Sequence, residues 1–412
     1  MTAPKIHSNL LILLTCLFVV MMGYGVLLPV LPFFLERIMA SSTPPGNIAF
    51  HFGILTAIYP VALVFTAPLW GKIADRMGPK WPIILGLGGF TLMQVMIAFS
   101  TSLTMLYVAR IVGSLFSAFL VPVINAFISE ITEEANRTKA MAWAGTAVSA
   151  GVVTGPGISG LLIGSNWHLP WEPSLHLLID RFSIPFIVLA LIGLLTLVLA
   201  LTFLQNIRPI KVAKARSRQT GVIFPQGKWP LFGRLLLLSL VLQLGITSFE
   251  SIFPLFIKDS GQFSVAFIGA GLLICGLVMA VLQPIVAKWG SLVIRNPEKQ
   301  MALGFLIAGL TLPVFVLSQT QWVILLAIGI FGLGSSLIVP NLLALVSLKD
   351  PSSSGWALGM QSSFSGIGQI TGPLAGTALY ALSPGSPFYI TGGLLVATSL
   401  LGFHKLHKKK PN

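Results

Sequence analysis

Long apolar runs separated by short polar clusters recur twelve times along the chain. A helix needs ~20 predominantly apolar residues to cross the hydrocarbon core of a bilayer. The first six runs lie near Leu10–Leu35, Phe50–Trp70, Trp81–Phe99, Leu103–Ile128, Ala140–Ile163 and Ile184–Leu204. The second six lie near Leu231–Ile257, Val265–Trp289, Gln300–Leu317, Trp322–Val346, Ala357–Leu382 and Phe388–Phe403. Each predicts a helix, because inside lipid a spanning segment must satisfy its own backbone N–H and C=O groups. The first run is too long for a signal-peptide core and has no clear small-residue cleavage site, so it reads as a span.

The polar residues inside these runs are few. Glu250 is the only one of the eleven acidic residues deep within a run, where it shares a helical face with Gln243 and Thr247. A carboxylate at the centre of a spanning helix costs about 2.5–3.5 kcal/mol, so such a residue has a partner or a task. Removed from water, a carboxyl favours its neutral form, which suits it to carrying a proton. Arg110 is the only base deep in a run, and with Ser114, Ser117 and Asn125 it forms a polar stripe at helical spacing. Gln361, Ser365 and Gln369 recur every four residues and share one face of the eleventh run.

Composition agrees with a membrane solvent: 55% of the residues are hydrophobic and 9% charged, against about 25% charged in soluble domains. The net charge of +14 does not point to nucleic acid. With both termini cytoplasmic, every Lys and Arg outside Arg37, Arg110, Arg181 and Lys258 falls in a cytoplasmic segment, which is the positive-inside pattern. Cys16 and Cys275 both lie in runs and offer neither a disulfide framework nor a zinc motif. The six histidines fall in tails, loops or, for His51, at a run edge. One Glu, one Arg and two separated Cys do not make the convergent nucleophile, base or metal set of an enzyme, and no cofactor is expected. A receptor would carry a folded soluble domain or a substantial tail, and the longest connection has only about 25 residues.

That connection, the basic and acid-free Asn206–Pro230, reads as a solvated linker and orientation anchor. It divides residues 1–205 from 231–412, and the two parts echo one another. Thr154-Gly155-Pro156 recurs as Thr371-Gly372-Pro373, and Val121-Pro122 with Asn125 recurs as Val339-Pro340 with Asn341. Pro68 before Lys72 resembles Pro284 before Lys288, and the first and seventh runs both end in Pro-x-Phe plus charge. Four matches in consistent order predict a duplicated unit. The expected fold is therefore an all-α polytopic membrane protein with twelve transmembrane helices in two pseudo-symmetric six-helix bundles. Duplication of this kind is typical of transporters.

Between the second and third runs lies Gly71-Lys-Ile-Ala-Asp75-Arg76-Met-Gly78-Pro79-Lys80. Here the chain resembles the major facilitator superfamily, whose signature loop reads Gly-x-Leu-Ala-Asp-Arg-x-Gly-Arg-Lys; Pro79 stands where the family prefers a base. The glycines suit a tight turn and close helix approach. The resemblance would aim Asp75 at the start of the eleventh span near Ser352–Ser354 and place Arg76 or Lys80 near Glu130, as a latch on one of two conformations. Gly151-x-x-x-Gly155-Pro156-Gly157-x-x-Gly160 resembles the antiporter motif of twelve-span drug:proton antiporters, with Ser159 replacing a family glycine. Tyr107-x-x-Arg110-x-x-Gly113 resembles the family's fourth-span motif, where the arginine is implicated in proton transfer. Ser248-Phe249-Glu250-Ser251 before Pro254 resembles the seventh span of NorA-type multidrug exporters, where such a Glu is a coupling carboxylate. Those exporters usually hold a second membrane acid in the C-terminal half. None is found here, so one proton per cycle is expected.

The resemblance implies proton-driven export of small hydrophobic or amphipathic compounds by a functional monomer in the bacterial cytoplasmic membrane, powered by the proton gradient alone. Export of an endogenous metabolite such as a siderophore is the alternative. Glu250 and Arg110 are the coupling candidates. Tyr24, Gln94, Ser114, Phe116, Gln243, Thr247, Phe249, Phe253, Asn341, Gln361, Ser365 and Gln369 are the candidates for a substrate cavity.

Overall fold

The computed structural model describes residues 3–39, 48–164, 180–205, 229–348 and 354–404. Within them all regular structure is helical. The first seven helices are α1 (Ala3–Met39), α2 (Ile48–Met77), α3 (Lys80–Ala98), α4 (Leu103–Ser117), α5 (Leu120–Ile131), α6 (Glu134–Gly164) and α7 (Ile184–Phe203). The rest are α8 (Trp229–Asp259), α9 (Val265–Val293), α10 (Pro297–Thr311), the single turn α11 (Val314–Leu317), α12 (Gln321–Leu348), α13 (Ser354–Leu382) and α14 (Ser386–His404). Among the described residues ten spans are long and apolar enough to cross a membrane, counting α4 with α5 and α10 with α11 as one each. The eleventh expected span, α13, is not among them, and it carries the polar Gln361, Ser362, Ser363, Ser365 and Gln369. The twelfth, α14, is apolar over the shorter stretch Ser386–Leu400.

Proline explains the two interruptions. Pro122 has no N–H to give the Ala118 carbonyl four residues back, and α4 ends just before Ala118 while α5 begins at Leu120. Pro313 similarly separates α10 from α11. Elsewhere prolines lie inside continuous helices, such as Pro156 in α6 and Pro373 in α13, as membrane helices tolerate.

The chain forms two compact units. The first takes in α1, α2 from Ile58 onward, α3 to α7, and Ser264–Gly269; the second holds Ala49–Ala57, α8, α9 from Ala270 onward, and α10 to α14. Each repeats one packing scheme. In the first unit α1 packs on α6, and α3 on α4 and α7. In the second, α8 packs on α13, and α10 on α12 and α14. The counterpart of every partner is a partner in the other unit.

Glycine makes the α1–α6 and α8–α13 pairs close. A Cβ at Gly155 would meet the Met22 carbonyl oxygen at 2.5 Å and the Gly25 Cα at 2.8 Å, and Gly151 faces the Phe18 carbonyl. In the second unit a Cβ at Gly368 would meet the Leu240 carbonyl oxygen at 2.5 Å, and one at Gly372 the Leu244 carbonyl oxygen at 2.8 Å. Contact between backbones is how spanning helices associate without a hydrophobic driving force. Gly155→Ala is expected to lower stability by about 1–3 kcal/mol, the range for overpacking. The thermal midpoint of the detergent-purified protein reads this. Gly145→Ala, also in α6, should leave the midpoint in place, since its Cβ would meet nothing within 4 Å.

The C-terminal ends of α1 and α8 are matched as well. Phe34 stands edge-on to Phe186 of α7 with centroids 5.9 Å apart, and Phe256 edge-on to Phe388 of α14 at 5.2 Å. The neighbouring charges differ in sign. Arg37 pairs with Asp180 at 2.5 Å, donates to the Ser100 carbonyl at 3.2 Å and covers the Phe34 ring at 4.1 Å. In the second unit it is an acid, Asp259, that accepts from the Tyr380 hydroxyl at 2.7 Å.

Candidate functional site

Glu250 lies inside α8, nine residues before its end at Asp259, and is half-buried, within electrostatic reach of Cys275 on α9. One turn earlier, the buried Thr247 donates to the carbonyls of Gln243 and Gly368 at 2.8 and 3.3 Å, tying this part of α8 to α13. Gln243, Ser365 and Gln369 are half-buried, while Gln361 is buried with its amide oxygen unpartnered. A single residue step turns a helix by about 100°, so Phe249 points away from the carboxylate. It enters a ring cluster with Phe253, Phe315 and Phe331, at centroid distances of 5.4, 5.4 and 4.7 Å. Phe249 and Phe253, expected on a cavity wall, are 2% and 0% exposed and form core. Asn341, expected on the same wall, donates instead to the Gln300 amide oxygen at 2.7 Å and the Leu337 carbonyl at 2.8 Å, linking α12 to α10.

In the first unit Arg110 is 3% exposed on α4. Its Nη1 lies 3.8 Å from the Met93 sulfur, and the hydroxyls of Tyr59 and Tyr24 act electrostatically on the guanidinium. Met93 sits this close because Gly113, one turn along α4, has no Cβ to collide with it. Ser114 follows on the same face and is fully buried, as is Gln94 on α3. Tyr24 and Tyr59 have ring centroids 6.3 Å apart. Phe116 is on the surface and leans toward Trp70, 6.2 Å away. Tyr59 is not among the residues that the sequence singles out. Its signal was faint: a tyrosine before Pro60 inside the second run, among only five tyrosines in the chain.

The signature loop closes differently from the expectation. Gly78 adopts φ 87°, the left-handed conformation that glycine takes without strain. Gly71 does not mediate close helix approach, since a Cβ there would meet nothing within 4 Å. Lys80 donates to the Leu201 carbonyl at 3.0 Å, near the end of α7, where a cation favours the helix dipole. It is therefore spent on α7 rather than on Glu130. Asp75 and Glu130 line one cleft with Gly71, Ala74, Pro122 and Ala126, and the charge of Asp75 acts on Glu130. Arg76 is exposed. Ser352 and Ser353, toward which Asp75 was expected to point, lie outside the described residues.

The antiporter-motif residues are placed by packing. Gly151 and Gly155 approach α1, and a Cβ at Gly25 would meet the Pro156 ring carbon at 2.8 Å. Gly160 faces Ala266 and Gly269, its Cβ position 3.2 and 3.4 Å from their Cα atoms.

The family model described as Major Facilitator Superfamily matches residues 13–354 and 235–412. The chain is 29% identical over 406 residues to multidrug resistance protein 2 of Bacillus subtilis, covering 98% of this chain and 96% of that protein. It is 22% identical over 410 residues to the quinolone resistance protein NorA of Staphylococcus aureus, covering 98% of each. In fold it is similar to the crystal structure of a bacterial homologue of the human lysosomal transporter Spinster. The TM-score is 0.77 at 15% identity, over 98% of this chain and 93% of that one.

Proposed function

Because the chain belongs to the Major Facilitator Superfamily, we propose that it is a proton-coupled antiporter that exports small hydrophobic or amphipathic compounds by alternating access. It is an integral membrane transporter and not an enzyme. Its likeness along nearly the whole chain to two proteins named for multidrug and quinolone resistance supports drug-type substrates. The observation that carries the coupling is Glu250, a half-buried carboxyl inside a spanning helix.

In the outward-facing state Glu250 takes a proton as substrate leaves. In the inward-facing state it gives the proton up and the resulting carboxylate favours a new substrate, above all a cationic one. Arg110 keeps its charge throughout, so its part is electrostatic. The Asp75 loop biases which conformation dominates, by differential stabilisation of one state. The protein sits in a bacterial cytoplasmic membrane with both termini on the cytoplasmic side, and a single chain suffices.

The experiment is transport by the purified protein in proteoliposomes across a panel of cationic, neutral and acidic amphipathic compounds, with and without an imposed pH gradient. Concentrative movement of at least one compound against protons is expected. A panel that equilibrates identically with and without the gradient would overturn the antiport reading.

A further inference from the structure

Around Arg110 the first unit gathers more hydrogen-bonding groups than it uses. The Tyr59 hydroxyl on α2, the Gln94 amide nitrogen on α3 and the Ser114 hydroxyl on α4 are all shut off from solvent without a hydrogen-bond partner. Gln94 and Ser114 are 1% and 0% exposed as whole residues. Buried polar groups are nearly always satisfied, and leaving one unpaired costs about 1–3 kcal/mol. Tyr59 acts electrostatically on Arg110, Ser114 follows Arg110 by one turn, and Gln94 adjoins Met93, whose sulfur the guanidinium meets. Three unpaired groups on the elements around a buried guanidinium mark a place built for something else to bind.

Glycines shape it. Gly23 on α1 lets the Gln94 amide approach to 3.2 Å of where its Cβ would stand, and Gly113 admits Met93 against α4. The chemistry is one-sided. Amide and guanidinium N–H groups only donate, the two hydroxyls donate as readily as they accept, and positive charge comes from Arg110. The acids of this unit among the described residues are Glu36, Asp75, Glu130, Glu133, Glu134 and Asp180, and all stand at helix ends or in loops. The unpaired groups are the three neutral ones, whatever else engages Arg110.

We propose that Tyr59, Gln94 and Ser114, with Arg110, form a substrate subsite that accepts the carboxylate of an amphipathic compound. This deepens the export reading and rests on it. A carboxylate supplies two oxygens and about four lone-pair positions, enough for the neutral donors together with a charge-assisted bond from the guanidinium. A site that hydrogen-bonds a polar head discriminates strongly against the analogue that lacks it, because its own groups are then left unpaired. Substrates carrying a free acid are therefore preferred over their esters.

The test uses the full-length protein in proteoliposomes and one probe pair, a xanthene dye with a free benzoate and its methyl ester. Both are followed by counterflow without a pH gradient, so the result is readable even if proton coupling fails, and the two readings stand or fall separately. In the wild type the acid should show the lower KM. In Tyr59→Phe, Gln94→Leu and Ser114→Ala the KM of the acid should rise relative to that of the ester, by about two- to tenfold for each group. A merely structural role would move both substrates alike, and an acid-to-ester ratio unchanged in all three variants would overturn the subsite. Where a variant does not reach the membrane folded, the wild type decides: an ester that competes as well as the acid overturns the proposal.

Discussion

Glu250→Gln is expected to abolish pH-driven accumulation while leaving substrate equilibration across the membrane. Gln keeps the shape and hydrogen-bonding reach of the protonated acid but cannot release a proton, so no free energy passes from the gradient to the substrate. With one proton exchanged per cycle, one pH unit sustains about a tenfold concentration ratio, since 1.4 kcal/mol is a factor of ten. That ratio should collapse to unity in the variant. Proteoliposome transport with an imposed gradient measures it directly, with counterflow as the check that the variant still binds and moves substrate. A Gln variant that still concentrates substrate tenfold would remove Glu250 from the coupling step. Glu250→Asp, which restores a titratable group on a shorter stem, should recover part of the accumulation.

Phe249→Ala, one residue away, is expected to fail in another manner. Phe249 stacks against Phe253 and Phe315 and tilts over Phe331, and at 2% exposure it has no surface to offer a substrate. Truncating a buried phenylalanine costs about 3–5 kcal/mol through lost transfer energy and the cavity left behind. The thermal midpoint should drop markedly, and the change in apparent affinity should be similar for chemically different substrates. Phe249→Leu, which refills much of the volume, should recover most of the loss. If Phe249→Ala keeps the wild-type midpoint and weakens only aromatic substrates, the ring belongs to a binding surface after all.

The adjacent pair shows what a sequence discloses here. Glu250 stands out because charge is rare inside an apolar run. Phe249 does not, because an apolar side chain suits protein core, cavity wall and lipid alike, so its type does not say which of them it meets. The glycines were legible in the first unit through their spacing of four and in the second through the repeated Thr-Gly-Pro, since close backbone approach demands a small residue whatever surrounds it. Arg37 and Asp180 were readable only as loop-side charges, because they are far apart in the chain and each looks solvated alone. Their ion pair exists only once α1 and α7 are brought together. Tyr59 was hidden differently. A tyrosine is ordinary near a membrane, and only its position beside a buried arginine gives its hydroxyl a task. Lys80 matched a family pattern in type and place, yet the nearest acceptor proved to be a helix-terminal carbonyl rather than an acid.

The two units share their glycines and their helix partners but not their intramembrane charges. With Pro254 set on Pro32, Glu250 falls opposite Leu28, and the repeat puts Ile328 where the first half has Arg110. Leu28 and Ile328 are both buried, at 4% and 0% exposure. An ancestral tandem copy thus kept its architectural grammar while specialisation settled on isolated codons. Selection for a new cargo or a different energy source could act at such codons one at a time, leaving the inherited framework of each half untouched.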